Sequence, residues 1–170
     1  ETLRFEIPRG KGPGEASHSL GIVVNKEGVY FSDFALRRIS RFDFEGNYED
    51  CMDFNTDTGI IVQFDMIDGF MFAEAMDTIY LGKIDLKTGE MLASIPREGK
   101  TLQKVGSNFS GGVVACDPYN GEIYIGNISA PYKIERFDRD LKKLGEYNYK
   151  LEKEYKPAKI YPGRWRVWKR

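Results

Sequence analysis

Within six residues the chain places Asp33, Arg37 and Arg38, a carboxylate beside two guanidinium groups. Guanidinium forks donate paired hydrogen bonds to carboxylate or phosphate, so this group could hold an anionic ligand. The alternative is that Asp33 bonds its own turn while an arginine packs on a neighbouring element. A second chemistry is oxygen ligation of a hard cation such as calcium, for which Glu15, Asp33, Glu74, Asn108 and Asn127 have the required carboxylate and amide oxygens. Tyr132 adds a phenol close in sequence to Asn127. His18 is the single histidine, which excludes a multi-histidine metal centre and leaves acid/base work to it or to a carboxylate.

Other chemistries find less support. No Gly-x-Ser-x-Gly motif accompanies His18, so a Ser/His/Asp set has no nucleophile to start from. The stretch Gly10-Lys11-Gly12-Pro13-Gly14 is glycine-rich, but Pro13 removes an amide donor and no Gly-Lys-Ser/Thr follows to cradle phosphate. From Lys150 to Arg170 there are eight basic and two acidic residues, with Tyr155, Tyr161, Trp165 and Trp168 interleaved. Such interleaving can bind single-stranded nucleic acid, but a strand of the next blade over Arg164-Trp165-Arg166-Val167-Trp168, cut short or docked on a neighbour, is favoured, since exposed tryptophan pairs are more often pieces of an interface. The whole chain has 25 basic and 26 acidic residues, so no global field attracts nucleic acid or an anionic membrane.

What must position these groups is a phrase that occurs three times. It runs Gly28-Val29-Tyr30-Phe31 to Phe42-Asp43, Gly69-Phe70-Met71-Phe72 to Ile84-Asp85, and Gly121-Glu122-Ile123-Tyr124 to Phe137-Asp138. The closing aspartates lie 42 and 53 residues apart, and the longer interval holds the inserted Gly/Lys/Ser/Asn stretch 97–112. A period of about 40 to 50 residues with several short strands is the mark of a propeller blade. Each copy divides into four short strands: 21–24, 29–32, 38–44 and 48–54; then 60–66, 69–75, 78–86 and 90–95; then 112–116, 122–126, 133–137 and 144–151. The first strand of each is continuously apolar, as in Ile22-Val23-Val24, Ile60-Ile61-Val62 and Val113-Val114-Ala115, which predicts burial on both faces near an axis. The fourth carries charges and is predicted at the rim.

The expected fold is therefore all-β, with three four-stranded antiparallel blades and partial terminal strands. The division is a leading strand and loop over 1–20, blades over 21–54, 60–95 and 112–151, and the start of a further blade or docking tail over 152–170. Cys51 and Cys116 fall in different repeats and are expected to be free, buried thiols. No window approaches the roughly 18 apolar residues of a membrane helix, and the chain opens on Glu1 without a basic and apolar leader.

The stretch from Gly21 to Gly46, including Ser32-Asp33 and Arg38-Ile39, resembles the repeat unit of six-bladed β-propellers related to NHL repeats. Gly12-Pro13-Gly14-Glu15 resembles the loop that often precedes a blade in that group. The likeness extends over about 9–151, strong in the first repeat, good in the third and weak in the second, where Glu74 replaces the strand-end aspartate. It implies six blades, so the three here would be completed by remaining blades, by self-association with another copy, or by the terminal strands. It also slightly favours an extracytoplasmic setting, periplasmic or secreted.

In such a ring the loops after the second and fourth strands share one face around the axis, and ligands bind there. This face would carry His18, Asp33, Arg37, Arg38, Glu74, Asn127 and Tyr132. The expected function is a non-enzymatic module binding a protein or small-molecule ligand, with no cofactor, no metal, no nucleic acid and no membrane span. The alternative is a calcium-dependent hydrolase or lactonase using the same face, and propellers host both kinds of work.

Overall fold

The computed structural model describes residues 5–54, 59–75, 79–96, 112–127 and 133–148. Twelve strands are present: β1 (Ser19–Asn25), β2 (Gly28–Asp33), β3 (Arg38–Phe42), β4 (Tyr48–Asp53), β5 (Ile61–Ile67), β6 (Phe70–Ala75), β7 (Ile79–Asp85), β8 (Met91–Pro96), β9 (Gly112–Cys116), β10 (Ile123–Asn127), β11 (Lys133–Phe137) and β12 (Lys143–Asn148). They form three four-stranded sheets, each ordered as it runs in the chain, and each neighbouring pair is antiparallel. The twelve predicted blade strands are found, with ends shifted by a few residues; residues 5–8 of the expected leading strand are not in strand conformation, and 1–4 and 149–170, with the expected trailing strand, lie outside the described residues. No helix among the described residues is long and apolar enough to cross a membrane.

The recurring aspartate is a turn residue. Asp85 Oδ1 accepts the backbone N–H groups of Lys87 and Thr88 at 2.7 and 3.0 Å. Asp138 Oδ1 does the same for Asp140 and Lys142, both at 2.9 Å, and Asp43 Oδ1 accepts Asn47 N–H at 2.7 Å. A carboxylate at this position takes donors that the third-to-fourth-strand turn would otherwise leave to solvent. Gly28 serves the β1–β2 hairpin with φ of 144°, and a side chain there would collide with the Phe42 carbonyl oxygen.

The innermost strands β1, β5 and β9 lie side by side, and the core sits between blades rather than within one. Tyr30, Ile39 and Phe54 of the first blade pack on Phe64, Met71 and Ile84 of the second. On the opposite face of the second blade, Phe72 and Leu81 pack on Ile123, Ile125 and Phe137 of the third. The middle blade is thus buried on both faces, and Met71, Phe72, Leu81 and Ile84 are wholly enclosed.

Two expectations are corrected. Burial of the first strand on both faces holds for β5 but not for β1 or β9, where Ile22, Val24 and Val113 are 64, 61 and 52% exposed. The reason is position: only the second blade has a described neighbour on each side. Cys51 is exposed, because β4 is the outermost strand of its sheet, while Cys116 is half-buried; both are free. Burial pushes the Cys116 thiol pKa well up, and Asp65 pushes it further.

Blades are also tied by polar groups. Asp65 Oδ2 accepts the Cys116 N–H at 2.7 Å. The Tyr80 hydroxyl of β7 donates a short hydrogen bond to Glu135 of β11, whose carboxylate also meets Lys143 Nζ at 2.6 Å and Lys133 Nζ at 3.0 Å. Burial alone would raise the Glu135 pKa, but the Lys143, Tyr80 and Lys133 hydrogen bonds outweigh it and hold the group at about 2. A carboxylate depressed when folded contributes stability above its unfolded pKa and loses it as pH falls toward the folded value. Acidifying from about pH 5 to pH 2 should therefore weaken the joint between the second and third blades by about 1–2 kcal/mol after allowance for screening. Urea unfolding of wild type and Glu135→Gln across that window checks this; equal pH slopes would refute it.

Candidate functional site

The loop between β2 and β3 brings four of the seven expected residues together. Asp33 ends β2 and is 2% exposed. Its Oδ2 accepts the N–H groups of Ser17 and His18 at 2.5 and 3.2 Å, and its Oδ1 those of Ala35 and Leu36, both at 3.0 Å. One carboxylate thus holds its own turn and the segment leading into β1. Arg38 is 9% exposed and points the same way: Nη2 donates to the carbonyls of Gly12 and Glu15 at 2.6 and 2.8 Å, and Nη1 to that of Lys11 at 3.4 Å. Glu15 Oε2 in turn accepts the Gly12 N–H at 2.6 Å. Asp33 and Arg38 together fasten the glycine-rich loop to the first blade.

Arg37 and His18 differ, because both are exposed. Arg37 sits at φ of 52°, a left-handed conformation that costs a side-chain-bearing residue of order 1 kcal/mol, and its carbonyl accepts the Phe54 N–H at 2.8 Å. That hydrogen bond joins the β2–β3 loop to the end of β4 and holds the Arg37 backbone at the surface. The His18 ring lies 5.4 Å from the Phe34 ring, with Nδ1 3.0 Å from Ser17 Oγ.

Glu74 occupies in β6 the place that Asp33 has in β2. It is 1% exposed, and Oε2 accepts the Gly112 N–H at 2.5 Å, tying the second blade to the first residue of β9. Asn127 ends β10, the equivalent place in the third blade, while Tyr132 lies outside the described residues. Among the described residues no three His, Cys, Asp or Glu side chains converge as a cation would require. Asp33 and Glu74 also already accept backbone donors, which a calcium ion would have to displace.

The residues found by type and spacing fall into two kinds. Asp33, Arg38 and Glu74 are buried fastenings, and Arg37 and His18 are surface groups. Sequence reasoning passed over the Tyr80, Glu135 and Lys143 network. Its one trace is that Glu135 alternates with exposed Ile134 on an otherwise inward-facing register.

The fold so described is that of β-propeller blades. No family model matches the sequence, and no curated protein matches it. Among solved structures the chain is similar to a protein of unknown function from Bacteroides caccae, with a TM-score of 0.51 and 17% identity over 78% of this chain and 50% of that one. It is also similar to streptogramin B lyase, a β-propeller, with a TM-score of 0.55 and 18% identity over 79% of this chain and 41% of that one. The chain thus spans half or less of the length of these two proteins, and the likeness defines the fold alone.

Proposed function

We propose that this is a non-enzymatic binding module of the six-bladed, NHL-like propeller class, taking a protein or small-molecule ligand on the loop face around the axis. The observation that carries the reading is the state of the strand-end carboxylates. Asp33 accepts four backbone N–H groups and Glu74 accepts the Gly112 N–H, so using either as an acid, base or cation ligand would break contacts that hold the fold. Exposed Arg37 and His18, with Asn127 and Tyr132 of the third blade, are the recognition groups in this reading. Calorimetric titration with inorganic phosphate and small dicarboxylates tests it. Arg37→Ala should lower the affinity for the bound anion about tenfold, the loss of one charge-assisted hydrogen bond, and an unchanged affinity would dismiss the role.

The ring is completed by further blades, which pack on Ile22 and Val24 at one end and on Val113, Ile134 and Tyr147 at the other. Light scattering identifies their source: a mass of twice 19.5 kDa means that a second copy supplies them, and a mass of 19.5 kDa rules that copy out. A second reading, a calcium-dependent hydrolase or lactonase on the same face, draws on the likeness to a propeller named as a lyase. A melting temperature that rises in millimolar calcium and falls back with Asp33→Asn would favour it.

A further inference from the structure

A cavity with an apolar floor lies along β4, between the first two blades. It has a volume of about 670 Å³ and opens between the first and second blades, beside the β1–β2 hairpin and the 85–89 turn, and its wall runs along β4 to Asp53, the register partner of Arg38. Its floor is apolar: Ile39 and Met52 from the first blade face Met66, Met71 and Leu86 from the second. Met66 and Met71 are register partners across β5 and β6, so two thioethers lie side by side. Unbranched thioether chains adapt to irregular apolar guests, and the volume falls in the range that admits one. Gly69 contributes to the opening, since a side chain there would meet nothing within 4 Å.

One wall of the mouth is β4, which among the described residues pairs only with β3 and so has one free edge. Its sequence is Tyr48-Glu49-Asp50-Cys51-Met52-Asp53, with three carboxylates and no cation. Glu49 and Asp50 share Arg41, at 3.1 and 3.2 Å, yet their side chains remain 39 and 62% exposed. Strand alternation puts Asp50 and Met52 on the same side of the sheet, next to the cavity, with Asp50 opposite Arg41 and Met52 opposite Ile39.

We infer that β4 and this cavity form a second binding site, for an extended basic peptide that adds a strand to β4 and inserts one apolar side chain between the blades. A free edge supplies main-chain hydrogen bonds, and a pocket beside it supplies specificity for alternate side chains. The lining carboxylates Glu27, Asp50 and Asp53 outnumber the lining cations Arg41 and Lys87, and this balance favours Lys or Arg two residues from the apolar anchor, the spacing that sets a cation beside Asp50 while the anchor lies beside Met52. The site is separate from the loop face, so it stands or falls independently of the function proposed above.

The probe is the capped peptide acetyl-Thr-Lys-Thr-Leu-Thr-Lys-Thr-amide, titrated into the full chain by calorimetry. The expected result is a dissociation constant of about 10–500 μM that weakens with added salt, as for short strand-adding peptides. Asp50→Lys and Met52→Lys, both at the surface of the cleft, should each weaken binding at least about tenfold, and Arg37→Ala should leave it unchanged. Circular dichroism of each variant confirms that the blades are retained. Replacing leucine by glycine in the peptide, or methylating its central backbone amides, should abolish binding. No heat up to 1 mM peptide, indifference to Asp50→Lys and Met52→Lys, or binding that survives backbone methylation would each overturn the proposal. So would a cleft that takes an amphipathic small molecule, 8-anilinonaphthalene-1-sulfonate, which the peptide fails to displace.

Discussion

Phe72→Ala will destabilise the protein by about 3–5 kcal/mol, among the largest effects expected of truncations among the described residues. Phe72 is 0% exposed at the centre of β6, among Leu81, Ile123, Ile125 and Phe137. Its register partners Asp65 and Lys83 hold the backbone in place on both sides, so the sheet has little freedom to collapse into the space left behind. The cost then combines lost transfer energy with a retained cavity at the joint between two blades. Tyr119→Ala is the control, because Tyr119 is 97% exposed and its truncation should change stability by less than about 0.5 kcal/mol. Chemical denaturation of the two variants decides the matter: similar midpoints would mean that the blades do not pack through Phe72.

Asp33→Ala is the second large effect, about 3 kcal/mol or more, and it arises from polarity rather than volume. Removing the carboxylate leaves four backbone donors without their acceptor in a place that is 2% exposed. A buried donor deprived of its partner costs more than the bond contributed. Asp33→Asn keeps one accepting oxygen and should cost roughly half as much. Hydrogen exchange locates the damage: the amides of Ser17, His18, Ala35 and Leu36 should lose protection first, while those of the third blade hold. A stable Asp33→Ala variant with altered ligand binding would reverse the assignment and return Asp33 to the functional site.

These two residues show where reading a sequence works and where it stops. Phe72 belongs to the run Phe70-Met71-Phe72-Ala73 in a thrice-repeated phrase, so its place in a strand was legible along the chain, while its burial follows from the blades packed on both faces of β6. Asp33 was equally visible by type, and its two readings, ligand group or turn fastening, could not be separated along the chain. The partners that separate them include the amides of Ser17 and His18, which precede it by sixteen and fifteen residues. Arg38 repeats the lesson through the carbonyls of Lys11, Gly12 and Glu15. Arg37, its neighbour, is left at the surface by the backbone turn that its own carbonyl makes to Phe54.

The cavity between the first two blades was not legible at all. Met52, Met66, Met71 and Leu86 come from four strands or turns in two repeats, and each reads along the chain as an ordinary core position. Only the packing of the first blade against the second turns them into the lining of a space.

By itself the sequence determined the strands, their order within each sheet and the repeat. Strand alternation, glycine turns and turn-capping aspartates are local, and each acts within a few residues of itself. Tertiary structure alone decided which polar groups are fastenings, which face of each end blade is open, and where a guest can enter. Those outcomes depend on hydrogen bonds and packing between residues far apart in sequence, whose distances no local period encodes.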